Sequence, residues 1–287
     1  MVSVQTHSVG NLLREWRQRR RMSQLDLAVE AEISTRHLSF LETGRSSPSR
    51  EMVLHLAEQL EIPLRERNAL LISAGYAPVF KERPLGDPAL QAARKTVDLV
   101  LAGHEPYPAL AIDRHWTLVA SNKAVLPLLA GVEPALLQPP VNVLRLTLHP
   151  AGLCSRIANV TQWRAHLLAR LRQQIDITAD PILEELLREL GDYPVQGKDK
   201  SNTPATDADY AGIAVPFQLI TQYGTLAFIS TTTIFGTPVD ITLSELAIES
   251  FFPADNFTLE TLNSLSHSLR PLDEASASIR AVRNLNP

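Results

Sequence analysis

The sequence predicts an all-α N-terminal domain of five helices, followed by an α+β domain built on an antiparallel sheet. Apolar residues recur at helical spacing through residues 10–75, punctuated by capping residues and by Gly or Pro. Short apolar runs with strand character occur near 108–122 and again at 211–252, with helical patterns between them. The charge is also split. Residues 1–50 hold 8 Arg and 5 acidic side chains, a balance of +3, in a chain of 287 residues with net charge -4, which leaves -7 for the rest. A basic module meeting a polyanion, joined to a domain with a different task, fits that asymmetry. Length and a 45% hydrophobic content allow two real cores.

In the first domain Leu12, Leu13 and Trp16 mark a helix over 10–21, with arginines at its C-terminal end where the helix dipole favours cations. Ser23 caps a second helix over 24–31, with Asp26 completing an acidic variant of the capping box. Glu32 and Ile33 form a tight turn. Ser34 caps a third helix, Thr35 to Thr43, which stops at Gly44. Pro48 and Ser49 open a fourth helix through Leu60, and Pro63 opens a fifth that closes at Gly75. Leu27, Ala28, Ile33, Leu38 and Leu41 are spaced to lock the second and third helices together, leaving Thr35, Arg36 and Ser39 facing solvent.

The stretch SQLDLAVEAEISTRHLSFLETGRSSPS, residues 23–49, resembles the Cro/repressor-type (XRE family) helix-turn-helix: a Gln opening the second helix, an LA pair, an LE pair, and Gly plus a basic residue after the third helix. The resemblance implies a lambda-repressor-like domain over 1–75 that binds duplex DNA; because one helix-turn-helix reads only a short half-site and two-fold pairing doubles the contacts, a homodimer on a palindromic operator is expected. It implies that Gln24 and Arg45 hold phosphates, that Thr35 and Arg36 read bases, flanked by Ser34 and Ser39, and that Arg17 and Glu42 pair inside the domain. Phe40 stands where such helices often carry a polar reader. It could touch a thymine methyl or fold into the domain. The bland alternative for the whole module is a helical interaction domain with a solvated basic face.

Residues 76–87 have linker composition, within GYAPVFKERPLGDP. A helix over 88–102, a hairpin turning at Asp113 to His115, helices through Leu190, and strands in AGIAVPFQLI, TLAFISTTTIF and ELAIESFF follow in order. Two strands, a helical middle and a three-stranded meander make the order of a PAS-like domain over 88–260, with 261–287 left as a tail. The polar stretch 194–210 reads as a mobile loop. The segments DRHWTLVASN, NVLRLTLHPAGL, WRAHLLARLR and VPFQLITQYGTLAFISTTTIFGTPVDITLSELAIESFFPAD resemble the ligand-binding domain of MmyB-like transcriptional regulators, which is PAS-like and follows a Cro-type module in that family.

Alternation groups Val215, Phe217 and Leu219 on one strand face, Leu226 and Phe228 on the next, and Leu246 and Ile248 on a third. These apolar faces line a cavity or simply fill a core. A cavity of that character suits an apolar ligand, such as a fatty acid, better than a sugar, because unpaired hydroxyls are costly to bury. Arg145 and His149 could pair its carboxylate, or be satisfied structural groups. The rival function is a DNA-binding regulator whose second domain only dimerises or contacts another protein. No HExxH, CxxC or GxSxG pattern is present, GKDKS lacks the glycine spacing of a phosphate loop, and no cofactor, metal site or catalysis is expected. The single cysteine, Cys154, and the absence of a run of about 18 apolar residues lead to an expectation of a cytoplasmic protein outside the membrane. Arg36→Ala is expected to cost about 1–3 kcal/mol on preferred DNA alone, and Gln24→Ala to weaken all duplexes alike. Titrations of a selected and an unselected duplex check both.

Overall fold

The computed structural model describes residues 8–194, 215–236, 238 and 240–269, in two compact units. The first holds five helices: α1 (Val9–Arg19), α2 (Gln24–Glu30), α3 (Thr35–Glu42), α4 (Arg50–Gln59) and α5 (Leu64–Ser73). The first four start where serine caps dictate, and α5 follows Pro63 with no side-chain cap. Ser8, Ser23, Ser34 and Ser49 each accept a backbone N–H three residues on, and Asp26 returns the bond to the Ser23 N–H at 2.8 Å, closing the capping box. Leu13, Leu27, Leu38, Leu41, Leu56, Leu70 and Leu71 form the buried centre. The turn between α2 and α3 places Glu32 at φ +53, held by the Ile33 N–H bonding Ala28 O at 2.9 Å. α1 passes so close to the end of α3 that a Cβ at Gly10 would lie 2.3 Å from Leu41 O.

Inside this unit Arg17 and Glu42 are both buried and paired, Nε to Oε1 at 2.6 Å and Nη2 to Oε2 at 3.0 Å. The segment expected as a linker, 76–87, is not a free connector as far as Pro84. The Asn68 side chain bonds Phe80 O at 2.7 Å and accepts the Val79 N–H at 2.9 Å, and Arg65 Nη1 meets Glu82 Oε2 at 2.7 Å, so residues through Pro84 belong with α5. Two later segments, Gln174–Ala179 and a stretch ending at Ser244, group with the same unit, where Arg83 pairs with the fully buried Asp240 at 3.3 Å.

The second unit is α+β, as the sequence predicts. A 3-10 turn (Pro88–Leu90) leads into α6 (Gln91–Gly103), β1 (Ala109–Ile112) and β2 (Leu118–Ser121). The helices α7 (Val143–Leu148), α8 (Val160–Thr178, of which the part up to Gln173 belongs to this unit) and α9 (Pro181–Asp192) precede β3 (Phe217–Thr221), β4 (Gly224–Ile234) and β5 (Ala247–Pro253). The sheet order is β2-β1-β5-β4-β3, and every neighbouring pair is antiparallel. A final helix, Asn256–Leu269, runs across the boundary expected at 260, and its Thr258 hydroxyl accepts the Ala227 N–H of β4 at 2.9 Å. The expected loop at 194–210, the strand start at 211–214 and the end of the tail lie outside the described residues, apart from Pro194.

The two sheet faces differ. Ile248 and Leu246 pack with Val97 and Leu101 of α6, whereas Phe217 and Phe228 belong with Phe251 and Trp163 of α8. One side of the Glu42 pair removed leaves a buried charge without its partner. Glu42→Ala should therefore lower the unfolding free energy of the first unit by roughly 3–5 kcal/mol, while Arg17→Met with Glu42→Leu should recover most of that loss. Denaturant titrations of the three chains measure both.

Candidate nucleic-acid interface and ligand site

The start of α3 is free to meet a ligand because its cap is local and its buried residues lie on the other side. Ser34, Thr35 and Arg36 are exposed, and Ser34 uses its hydroxyl to accept the His37 N–H at 3.1 Å. Ser39 is half-buried, and its carbonyl accepts the Thr43 hydroxyl at 2.7 Å. Gln24 is also half-buried. Its amide donates to Glu42 Oε2 at 2.8 Å, so one of its two N–H groups is committed to the internal pair and the other remains for a phosphate.

Phe40, which the sequence leaves open, lies in neither a deep core nor free solvent. It is half-buried, with the Arg36 guanidinium 5.3 Å and the Arg45 guanidinium 5.8 Å from its ring centroid. The arginines at the end of α1 and at its cap divide in a way their spacing does not reveal. Arg17 is buried against Glu42, and Arg20 donates to Leu60 O at 2.9 Å and Glu61 O at 3.0 Å.

In the second unit the two residues expected to hold a carboxylate are placed otherwise. Arg145 makes a forked pair with Glu189 at 2.7–3.0 Å, and the Tyr193 hydroxyl donates to the same carboxylate. The bond to Glu189 raises the guanidinium further above its usual range, and the bond from Arg145 holds Glu189 below the ordinary carboxylate value. Burial, then the Glu189 contact, pushes Tyr193 up to about 12. His149 meets the Tyr193 ring edge-on at 5.1 Å and accepts the Ala151 N–H at 3.1 Å. Arg145 is thus engaged by Glu189 of α9, and His149 lies against Tyr193 just beyond that helix.

A cavity of about 190 Å³ in this unit lies elsewhere, between the β3–β4 turn, the turn near Leu128 and Leu265 of the last helix. Leu128, Ile220, Leu226 and Leu265 supply apolar wall, and Arg156 supplies charge. Arg156 donates to Ile220 O at 3.1 Å and to Ala130 O, both neutral acceptors, and among the described residues no carboxylate pairs with it. Burial draws its pKa below the usual guanidinium range. The sequence around it, LCSRIAN, offers no pattern that would single it out.

Of the expected lining residues, Leu226 reaches this cavity. Phe217 and Phe228 are buried in an aromatic group with Trp163 and Phe251, ring centroids 5.0–6.2 Å apart, and Leu219 is fully buried at the register position facing Leu226. Val215 is half-buried ahead of β3. Leu246 and Ile248 do not join them, being on the α6 side of the sheet. Trp163 Nε1 is buried with no hydrogen-bond partner among the described residues. Among those residues, too, no helix is long and apolar enough to cross a membrane, and no group of three or more His, Cys, Asp or Glu could hold a metal ion.

Comparison with known proteins agrees with this division. Residues 13–67 match a helix-turn-helix family, and residues 93–265 match the MmyB-like transcription regulator ligand binding domain. A protein of Methanoculleus marisnigri, named as an HTH-type transcriptional regulatory protein, is 35% identical over 116 residues, 39% of this chain and 37% of that protein, so the match spans little more than a third of the relative. A solved RNA-binding light-oxygen-voltage receptor aligns over 91% of this chain and 64% of that one, at 12% identity and a TM-score of 0.23, too low a likeness to carry any argument. With its helix-turn-helix ahead of a matched domain that fills more than half of its length, the chain belongs to the MmyB-like transcription regulators.

Proposed function

We propose that this protein is a sequence-specific DNA-binding regulator that acts as a homodimer on a palindromic operator and whose second domain binds an apolar molecule with an anionic head, of fatty-acid type. The observation that carries the first half is the exposed start of α3, with Thr35 and Arg36 on a helix whose other side is anchored in a helix-turn-helix core. The second half rests on Arg156. A cation held by two neutral carbonyls beside four apolar walls is stabilised by an arriving carboxylate and a hydrocarbon chain together. The sheet order β2-β1-β5-β4-β3, with helices between β2 and β3, supports a PAS-like sensor. At about 190 Å³ the cavity is smaller than the roughly 300–1,000 Å³ of sites that enclose whole drug-sized ligands, so it holds a head group and the first methylenes.

One observation favours the rival, a second domain that only dimerises or contacts a protein. The space between α8 and the sheet, where alternation would put a ligand, holds Trp163, Phe217, Phe228 and Phe251 in mutual contact. Solvent extraction of the purified chain and mass spectrometry separate the two readings. A ligand reading expects a co-purifying amphipathic acid, a rise in melting temperature with added palmitate, and loss of both in Arg156→Gln. No lipid in the extract and no response to palmitate would leave the dimerisation reading. The assembly is checked by solution mass at micromolar concentration, where a strictly monomeric chain with and without DNA rules out the homodimer.

A further inference from the structure

We propose that Phe40 is a positioning residue for DNA recognition, its ring holding Arg36 and Arg45 in fixed relation so that a base contact and a phosphate contact are made in one register. The proposal rests on the reading of the first unit as DNA-binding. It starts from the way α3 ends. Gly44 takes φ +71, a conformation that suits glycine, and the Gly44 N–H bonds Leu41 O at 3.2 Å while the Arg45 N–H bonds Phe40 O at 2.9 Å. This is the six-residue Schellman closure, in which the residue at Phe40 and the residue at Arg45 ordinarily touch through apolar side chains. Here the contact is a guanidinium over a ring, at 5.8 Å.

Arg36 reaches the same ring. It stands four residues before Phe40, the spacing at which helical side chains meet, and its guanidinium lies 5.3 Å from the centroid. Both distances fall within the range where the electron-rich face of an aromatic ring attracts a cation. Neither arginine has a carboxylate partner among the described residues, and both are exposed. Two like charges gathered on one ring, with no anion between them, form a pair that an incoming phosphate and a guanine edge would relieve. A flexible arginine would otherwise have to be ordered at the moment of binding. The ring makes part of that ordering a property of the free protein. Leucine at position 40 would satisfy the helix closure equally well but offers no such face. Phe40 is thereby given a role that is distinct from core packing and from a direct thymine contact.

The test uses the full chain, a duplex enriched by the unsubstituted protein from a random pool, and an unselected duplex. Phe40→Leu should bind the enriched duplex about three- to tenfold more weakly. Phe40→Tyr and Phe40→Trp should stay within about twofold of the unsubstituted chain, because each keeps the ring face. In the Arg36→Ala, Arg45→Ala background, Phe40→Leu should have no further effect. Melting temperatures are recorded for every chain, and Phe40→Met replaces Phe40→Leu if the latter does not fold. Full affinity in Phe40→Leu, failure of Tyr and Trp to rescue, or an undiminished loss in the double-alanine background would each overturn the clamp. If the unsubstituted chain enriches no sequence and binds neither duplex, the DNA reading itself fails and the clamp goes with it.

Discussion

Three N–H groups converge on the buried carboxylate of Glu42, two from Arg17 and one from Gln24, while a further Arg17 N–H goes to Met22 O at 2.8 Å. This arrangement ties the end of α1, the start of α2 and the end of α3 to one point. A carboxylate removed from water is tolerable only when it is paired and hydrogen-bonded, and here a forked guanidinium and an amide N–H meet it. The consequence is geometric. With the far end of α3 fixed by Glu42 and by the close pass of α1 at Gly10, the near end must project, and Thr35 and Arg36 project with it.

What could be read from the sequence was whatever depends on neighbours along the chain. The serines at 23, 34 and 49 act on residues three positions away, so those helix starts were legible, and the hairpin at Asp113 to His115 was legible for the same reason; the cap at Ser8 was not read. The Arg17 and Glu42 pair was legible through resemblance, not through spacing. The fate of Arg145 was not, because Glu189 lies 44 residues on and nothing in either local pattern announces the other. Alternation correctly buried Phe217, Phe228, Leu246 and Ile248, but a period of two says only that residues on one strand share a face. Which faces coincide depends on register across strands, and that puts Ile248 opposite Ala111 and beside α6, away from the phenylalanines.

The central strand shows how the other face of the sheet is held. Glu249 of β5, 4% exposed, receives Arg170 of α8 at 2.6 Å and the Thr232 hydroxyl at 2.8 Å. The same guanidinium lies 5.0 Å from the ring of Trp116, a residue at φ +65 in the β1–β2 turn. A tryptophan in that conformation costs of order 1–3 kcal/mol and persists only where its surroundings over-determine it. Asp113 contributes restraint by accepting the N–H groups of His115 and Thr117 at 2.8 Å each, the Trp116 N–H bonds Asp113 O at 3.0 Å, the Val143 N–H bonds Trp116 O at 2.8 Å, and Arg170 lies over the ring. One helix-borne cation therefore links a strained turn to a buried carboxylate in mid-sheet.

The internal arginines alter what the basic end of the chain amounts to. Between residues 14 and 21 the sequence displays five arginines, yet Arg17 and Arg20 have their N–H groups engaged by Glu42, Met22, Leu60 and Glu61. Each cation that neutralises a phosphate releases about one condensed counterion from duplex DNA. A cation already buried against a carboxylate, as Arg17 is, releases none. The ionic-strength dependence of binding thus counts the arginines left over after folding, and it reads the architecture of the helix-turn-helix as directly as it reads the nucleic acid.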